Sequence, residues 1–324
     1  MTTIAVGDTH MPSVGLGLWK IDRSDTAQAV YDAVATGYRH LDSAADYGNE
    51  QEAGEGIARA IGDGLTSRDE LWVTSKLWNT YHRREHVRPA CEKTLDDLGL
   101  DYLDLYLVHF PISLRYVPIE ERYPPEWFYD PSSASPVMEV DPVPLQETWA
   151  GMEDLVRDGL VKQIGVCNYN SGLLIDLMAY SDIKPTMLQI ESHPFLTQEN
   201  LIRLAHDFGL AVTAFSPLGS LSYVQLDMAT EADTVLTAAP VVAAAERVGR
   251  TPAQVVLRWG VQRGTSVIPK TSRPERLKEN LALADFELSD EEMRAISALN
   301  QDRRFNDTAV FCEQAFGKFY PIYD

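Results

Sequence analysis

The sequence predicts an α/β protein built as a (β/α)8 TIM barrel, in which eight parallel strands alternate with helices. Short runs rich in β-branched and aromatic residues alternate with longer amphipathic stretches along the 324-residue chain, which is the pattern of a parallel sheet. Polar side chains follow several of those runs, and the C-terminal strand ends of a barrel meet at one mouth. Because no internal repeat or interdomain linker is visible, we expect residues 1–324 to form a single domain.

A β-hairpin is predicted ahead of the barrel strands. Its strands are Thr3–Val6 and Thr9–Met11, joined by a Gly7-Asp8 turn. The eight predicted barrel strands are Val14–Trp19, Tyr38–Asp42, Leu71–Leu77, Leu105–His109, Ile164–Asn168, Met187–Glu191, Val212–Ser216 and Ser266–Lys270.

Helices are predicted in the intervals between these strands. They include Asp25–Thr36, Asn49–Ile61, Glu85–Leu98, Leu145–Arg157, Gly172–Tyr180 and Gln198–Phe208. A further helix is expected after Thr251-Pro252, since threonine caps helices and proline suits the first helical position. Glu287–Glu292 has the features of a last capped helix. Two long segments, Pro111–Pro144 and Leu218–Pro240, interrupt the alternation, and loops of this length are usually functional.

Four polar residues at strand ends form the main catalytic hypothesis. Asp42 and Tyr47 follow the second predicted strand, Lys76 lies at the end of the third, and His109 ends the fourth. An ammonium at the end of an apolar run costs several kcal/mol to bury unless a carboxylate pairs with it, so Asp42 is the expected partner of Lys76. A neighbouring cation favours phenolate over phenol, which would help Tyr47 exchange protons near neutrality. Each of these residues taken alone also has an ordinary structural explanation.

Composition excludes several function classes. The net charge of −20, from 48 acidic and 28 basic residues, opposes binding to nucleic acid or anionic membranes. No window approaches the ~20 apolar residues of a membrane span, and the N-terminus lacks the features of a signal peptide, so a cytoplasmic location is expected. Three cysteines, Cys91, Cys167 and Cys312, have no metal-like spacing, and neither a disulfide framework nor a metal site is expected.

One basic cluster stands out in this acidic chain. Lys270, Arg273, Arg276 and Lys278 fall within nine residues directly after the last predicted strand. An anionic cofactor could bind there against the global field of the protein. Charge runs are commonly just solvated helix faces, and the residues alone leave that alternative open.

The sequence resembles the aldo-keto reductases and, within them, the xylose and aldose reductases. The matching motifs, which extend over nearly the whole chain, are Gly15–Trp19, Gly37–Glu50, Ser75–Trp78, Leu103–Pro111, Ile164–Tyr169, Gln189–Pro194, Ala214–Gly219 and Ile268–Thr271. The resemblance implies that the hairpin closes the bottom of the barrel. It also implies that Tyr47 is the general acid, supported by Lys76 and Asp42, and that His109 orients the carbonyl group.

The cofactor implied by the resemblance is NADPH, with NADH possible. Asn168 and Gln189 would hold the carboxamide, and Phe215 would stack on the nicotinamide. Cys167, Ser216 and Leu218 would also bind the cofactor. Lys270, Thr271, Ser272 and Arg276 would contact the adenosine 2′-phosphate, and Glu279 and Asn280 would take the adenine. Cys167 replaces the usual serine, and Gln225 stands where dual-cofactor relatives carry a carboxylate, which favours NADPH.

The implied substrate is the open-chain form of an aldose such as xylose. Trp19, Trp78, Phe110 and Trp127 would form apolar walls, which accept other aldehydes as well. Asn306 would bond sugar hydroxyls. Gly48 stands where the similar sugar-phosphate reductases have lysine, which argues against a phosphosugar.

Other functions remain open at the level of sequence. The chain could be an aldehyde or sugar-phosphate reductase that uses NADPH, or a cofactor-sensing regulatory subunit on the same barrel. An unrelated barrel hydrolase or lyase would need a metal cluster or a carboxylate pair at the mouth, and Asp42 is expected to pair with Lys76 instead. A monomer or a homodimer is expected.

Overall fold

A computed structural model describes residues 2–308 and 321–323 of the chain. Its strands are β1 (Thr3–Val6), β2 (Thr9–Pro12), β3 (Leu16–Gly17), β4 (His40–Asp42), β5 (Trp72–Leu77), β6 (Leu103–Val108), β7 (Val161–Cys167), β8 (Met187–Glu191), β9 (Ala211–Phe215) and β10 (Thr265–Val267). Strands β3 to β10 pair in sequence order, and every pairing is parallel.

Backbone hydrogen bonds join the first and last strands of this sheet. Gly15 N donates to Val267 O at 2.9 Å, and Val267 N donates to Ser13 O at 2.9 Å. Gly17 N donates to Pro269 O at 3.3 Å, one step further along. A Cβ on Gly17 would lie 2.7 Å from Ile268 O, so this close approach needs glycine. The predicted (β/α)8 barrel is confirmed.

Helices pack around the sheet. They are α1 (Arg23–Thr36), α2 (Glu50–Gly62), α3 (Arg84–Leu98), α4 (Leu145–Arg157), α5 (Ser171–Tyr180), α6 (Glu199–Asp207), α7 (Ala239–Val248), α8 (Pro252–Gln262), α9 (Pro274–Leu281) and α10 (Asp290–Ser297). Capping boxes begin α8, at Thr251 and Gln254, and α10, at Ser289 and Glu292. Both caps occur where the sequence predicts them, because the hydroxyl and the carboxamide or carboxylate satisfy backbone donors at each helix start.

The N-terminal hairpin covers the end of the barrel at which the strands begin. Strands β1 and β2 pair in antiparallel register. Val6 and Met11 are fully buried and pack against Trp72, Leu105 and Met187, which lie near the starts of β5, β6 and β8. The hairpin therefore seals the bottom and leaves the opposite mouth for the site.

Two long connections surround that mouth. The first joins β6 to α4, and the second joins β9 to α7 through four short 3-10 turns between Ser220 and Thr237. Within the described ranges, no helix is long and apolar enough to cross a membrane. Cys91 and Cys167 are buried free thiols, whereas Cys312 falls outside the described residues.

Candidate active site

The C-terminal strand ends surround a cavity of about 920 Å³. Strand β4 ends in Asp42, β7 ends in Cys167, and His109 directly follows β6. Most of the predicted site residues line this cavity: Trp19, Asp42, Tyr47, His109, Phe110, Trp127, Cys167, Asn168, Gln189, Phe215, Ser216, Leu218, Lys270, Thr271, Arg276, Glu279, Asn280 and Asn306. The barrel thus brings together side chains that are up to 287 positions apart in the sequence, from Trp19 to Asn306.

Lys76 lies directly behind the cavity wall and is fully buried. Its ammonium Nζ donates to Asp42 Oδ1 at 2.5 Å, to Ser43 O at 2.7 Å and to Tyr47 Oη at 3.1 Å. An ammonium has three N–H donors, so each donor has an acceptor. The expected pairing of Asp42 with Lys76 is present, and it connects a buried carboxylate to a hydroxyl that faces the cavity.

Burial and charge act in opposite directions on these groups. Burial alone lowers the pKa of Lys76, but Asp42 and Tyr47 outweigh it, and the pKa of Lys76 is raised above its usual value. Burial raises the pKa of Tyr47 above that of a free phenol, and the Lys76 ammonium opposes this only in part. The ammonium lowers the pKa of Tyr47 as the sequence predicts, but loss of solvent raises it by more, so the net shift is upward. Tyr47 is therefore a protonated phenol at neutral pH.

The His109 imidazole lies next to the Tyr47 ring in the same wall. The two ring centroids are 5.9 Å apart in an edge-on arrangement, and His109 also contacts Trp78 edge-on at 5.3 Å. Burial, with a smaller contribution from the Lys76 ammonium, holds the pKa of His109 well below its ordinary value. A neutral imidazole carries one N–H, so it can donate a hydrogen bond without adding charge to the site.

Two amide side chains are oriented by the same set of groups. Gln189 Nε2 donates to Asp42 Oδ2 at 2.7 Å, and Asn168 Nδ2 donates to His109 O at 2.8 Å. Asn168 Oδ1 accepts from the Tyr323 hydroxyl at 2.6 Å. Asn168 also has a positive φ of 62°, a conformation that asparagine tolerates better than most residues. Both predicted carboxamide-binding residues are thus held in fixed orientations at the cavity.

The basic cluster lies at the far end of the cavity. Lys270 and Arg276 line it, together with Thr271, Glu279 and Asn280. Among the residues that the structure describes, no carboxylate forms an ion pair with Lys270, Arg273, Arg276 or Lys278. Unpaired cations beside a cavity in so acidic a protein fit a bound phosphate better than a surface ion-pair network. The residues present therefore suit a phosphorylated dinucleotide.

Besides Lys76, two predicted site residues do not line the cavity. Trp78 is fully buried, and its Nε1 donates to Glu126 O at 3.0 Å. Its ring packs edge-on against Trp127 at 4.8 Å, so it supports the wall from behind rather than forming it. Ser272 is exposed, and it is the neighbouring Thr271 that faces the cavity. Ser272 and Thr271 differ because adjacent residues point to different sides of the backbone, whereas Trp78 packs behind Trp127.

Several cavity residues were not anticipated from sequence. Lys20 lines the cavity directly after Trp19, and its Nζ donates to Ser222 O at 2.8 Å, which joins β3 to the β9–α7 loop. Asp46 also lines it, and burial, with a contribution from Glu126, raises the pKa of Asp46 to about 7. Both residues adjoin predicted site residues in sequence, which is the signal that could have identified them. No group of three or more metal-ligating side chains is found within residues 2–308 and 321–323.

Comparison with known proteins places this geometry in a family. The sequence model described as the Aldo/keto reductase family matches residues 4–301. The NAD(P)H-dependent D-xylose reductase of Aspergillus niger is 48% identical over 315 residues, which cover 97% of this chain and 96% of that protein.

Solved structures agree with the sequence match. The aldose reductase of Schistosoma japonicum superposes with a TM-score of 0.87 at 37% identity, covering 100% of this chain and 99% of the other. A Bombyx mori aldo-keto reductase in complex with NADP gives a TM-score of 0.84 at 35% identity, covering 99% and 98%. The eight-stranded barrel fold accords with these matches. The chain belongs to the aldo/keto reductase family.

Proposed function

We propose that the protein uses NADPH to reduce the carbonyl group of open-chain aldoses such as xylose, and of other aldehydes, to alcohols. One observation carries this proposal. The hydrogen-bonded chain from Asp42 through Lys76 to Tyr47 ends in a hydroxyl that faces the cavity beside a neutral His109. Such a chain can deliver a proton to an oxygen atom and stabilise the anion left behind.

In the proposed reaction, the nicotinamide cofactor, when bound, supplies a hydride to the carbonyl carbon. Tyr47 donates its phenolic proton to the carbonyl oxygen, which completes the alcohol and leaves a phenolate. The Lys76 ammonium, 3.1 Å from that oxygen, stabilises the phenolate. His109 donates a hydrogen bond to the carbonyl oxygen as negative charge develops on it, a contribution of about 3 kcal/mol for one such donor.

The proposed cofactor residues divide the cavity into two ends. Asn168 and Gln189 would hold the carboxamide through their fixed amides, and Phe215 would stack on the nicotinamide ring. Lys270 and Arg276 would bind the adenosine 2′-phosphate, and Arg276 offers a planar fork suited to it. NADPH is proposed as the preferred form because, among the described residues, no carboxylate forms an ion pair with the cations at this end. The NADP in the Bombyx mori relative and the name of the Aspergillus niger relative support nicotinamide use.

The proposed substrate pocket combines apolar and polar walls. Trp19, Phe110 and Trp127 present aromatic surface, whereas Asp46 and Asn306 present hydrogen-bonding groups. Aromatic surface accepts the carbon chain of many aldehydes, and polar groups select those with hydroxyls. The D-xylose reductase name of the Aspergillus niger relative supports an aldose as the substrate.

We also propose that the enzyme acts in the cytoplasm, as a monomer or a homodimer. Reduced thiols such as the buried Cys91 and Cys167 suit a reducing compartment. Light scattering on the purified protein measures the mass in solution and distinguishes one chain from two.

Parallel assays of reduced-cofactor consumption test the proposed function. Purified protein is given NADPH or NADH with xylose, with a sugar phosphate, or with benzaldehyde. We expect turnover of xylose and benzaldehyde, a preference for NADPH, and little turnover of the sugar phosphate. Reduction of benzaldehyde alone would remove the aldose from the proposal. Tight NADPH binding without any reduction would instead point to a regulatory subunit.

A further inference from the structure

A buried carboxylate outside the proposed catalytic set holds one wall of the cavity. Glu191 ends β8 and is fully buried, yet it does not line the cavity. Its Oε1 accepts from Phe305 N at 2.9 Å, and its Oε2 accepts from Asn306 N at 2.9 Å. Both oxygens therefore bind backbone amides of the segment that carries Asn306 to the cavity.

His193 also contacts Glu191 and the segment that Glu191 holds. His193 is fully buried, and its Nε2 lies 2.9 Å from Glu191 Oε1. The His193 ring packs against Phe305 with centroids 5.2 Å apart, and Phe305 in turn stacks on Tyr223 at 6.1 Å. Because Tyr223 lines the cavity, the contacts run from the end of β8 through Phe305 back to the cavity wall.

The loop after β8 supplies further bonds to the same segment. Phe195 O accepts from Gln301 N at 3.1 Å and from Arg303 N at 3.0 Å. Thr197 N donates to Asn300 Oδ1 at 3.0 Å. Residues 301–307 have no helix or strand of their own. Their position over the cavity therefore depends on tertiary bonds, of which the two to Glu191 lie nearest Asn306 in sequence.

We propose that Glu191 is a positioning residue for substrate selectivity, which fixes Asn306 in the cavity wall through the backbone amides of Phe305 and Asn306. The inference rests on the proposed reduction of aldoses, since Asn306 is the group proposed to meet their hydroxyls. An aromatic aldehyde has no hydroxyls and does not need that contact. Glu191 therefore affects sugars and aromatic aldehydes differently, although it touches neither.

Replacing Glu191 with glutamine tests its bonds to the backbone amides of Phe305 and Asn306 with little change in the shape of the side chain. A glutamine at position 191 keeps one acceptor oxygen but turns an NH₂ group toward a backbone N–H, so one buried donor loses its partner. The segment must then shift to restore that bond. We expect Glu191→Gln to lower kcat/KM for xylose about tenfold, mainly through KM, and to change kcat/KM for benzaldehyde less than about twofold.

Glu153→Gln is the matched control. Glu153 is also a buried carboxylate whose oxygen accepts from two backbone amides, Asp182 N at 2.7 Å and Ile183 N at 2.9 Å, but it lies on α4 and does not line the cavity. Glu153→Gln should lower thermal stability without changing the ratio of xylose to benzaldehyde activity. If the two variants changed that ratio equally, Glu191 would have only a structural role and the proposal would fail.

A double substitution ties the effect to Asn306. Asn306→Ala should itself reduce xylose activity, and adding Glu191→Gln should then cause little further loss, because the group being positioned is gone. Additive losses would overturn the proposal. Should Glu191→Gln not fold, Phe305→Leu removes the ring that packs on His193 and should give the same selective loss on xylose.

The two proposals fail in different ways. A wild-type protein that does not reduce xylose contradicts the proposed function. A wild type that reduces xylose, with an unchanged substrate ratio in Glu191→Gln and in Phe305→Leu, contradicts only the positioning role.

Discussion

The ammonium of Lys76 is the group on which the proposed proton transfer depends most. Burying it without partners would cost several kcal/mol, and its three donors bind Asp42, Ser43 O and Tyr47. The second oxygen of Asp42 accepts from Gln189, which also faces the cavity. The proposed proton donor and a proposed carboxamide ligand therefore share one buried carboxylate, so a change at Asp42 should disturb both.

Tyr47→Phe tests the proton donor directly. The substitution removes only the hydroxyl, and Lys76 keeps its bonds to Asp42 and Ser43 O. We expect kcat for aldehyde reduction to fall by about 10²- to 10⁴-fold, the usual contribution of a general acid, while the Kd for NADPH changes little. Tyr106→Phe is a matched control, since that buried hydroxyl has no hydrogen-bond partner among the described residues. Ordinary turnover by Tyr47→Phe would refute the assignment.

The four proposed catalytic residues could be located from sequence because a charge or a phenol directly after an apolar run needs a reason to be there. Lys76 was the clearest, since burying its ammonium requires a carboxylate. Their pKa values could not be predicted in the same way. The net shift of Tyr47 depends on how completely the barrel excludes water, which the sequence does not contain. The sequence also does not distinguish Trp78, which packs behind the cavity wall, from Trp127, which lines it.

The strands of the barrel were easier to predict at their ends than at their beginnings. All eight were found, but β6 and β7 begin two and three residues earlier than the apolar runs indicate. Asp104 and Lys162 interrupt those runs, and they pair with each other at 3.1 Å at the bottom of the barrel. Arg68 also binds Asp104 at 2.9 Å. Charged residues can therefore belong to a strand when they form ion pairs in the fold, and the sequence alone does not show that pairing.

Helices α7 and α9 were not anticipated, for different reasons. Helix α7 follows directly on the long segment treated as a loop, and its start at Ala239 has no side-chain cap. Helix α9 is strongly polar and buries only Leu277 and Asn280. A charged run with so few buried residues gives a weak periodic signal. It is nevertheless α9 that presents Arg276 to the cavity.

Arg276→Ala tests the proposed phosphate-binding role of α9. Removing the guanidinium should raise the KM for NADPH about tenfold, the usual effect of losing a hydrogen bond to a charged group, and leave the KM for NADH nearly unchanged. NADH lacks the 2′-phosphate, so it provides the internal comparison. Lys278→Ala on the same helix is the control, since Lys278 is exposed and does not line the cavity. Equal effects on both cofactors would contradict the assignment.

The whole molecule carries a net charge of −20, which opposes the approach of an anionic cofactor. The fold offsets this repulsion only near the cavity, through the local arrangement of its basic residues. Exposed ion pairs join α3 to α4 and to the residue that follows it, and they neutralise basic residues there; examples are Arg84 with Asp154 and Arg88 with Asp158. Lys270 and Arg276, which line the cavity at and just before α9, form no ion pair with any carboxylate in the part of the chain that the structure describes. The charge distribution, and not the net charge, therefore determines where a phosphate can bind.

Stability against pH depends on buried groups with opposite effects. Burial raises the pKa of Glu50 to about 7, so its protonated form is favoured in the fold. The contribution of Glu50 to the free energy of unfolding is present below its unfolded pKa of about 4.5 and is lost as the pH rises to about 7. Burial lowers the pKa of His40 to about 4 and that of His82 to about 3. Their contributions are present above about 6.5 and are lost as the pH falls.

His82→Gln isolates one of these contributions. Neither ring nitrogen of His82 has a partner among the described residues, and burial keeps the imidazole neutral in the fold. Below pH ~6.5 the imidazole of His82 binds a proton in the unfolded chain but stays neutral in the folded chain. The free energy of unfolding of the wild type should therefore fall by about 1.4 kcal/mol per pH unit relative to that of the variant. Urea unfolding between pH ~4.5 and ~7.5 measures that difference. Glu50 is present in both proteins, so its effect on the pH dependence drops out of the comparison. His206→Gln, at an exposed position, should track wild type throughout. If the free energies of unfolding of wild type and His82→Gln differed by the same amount at every pH, the buried imidazole would not be the group that destabilises the barrel in acid.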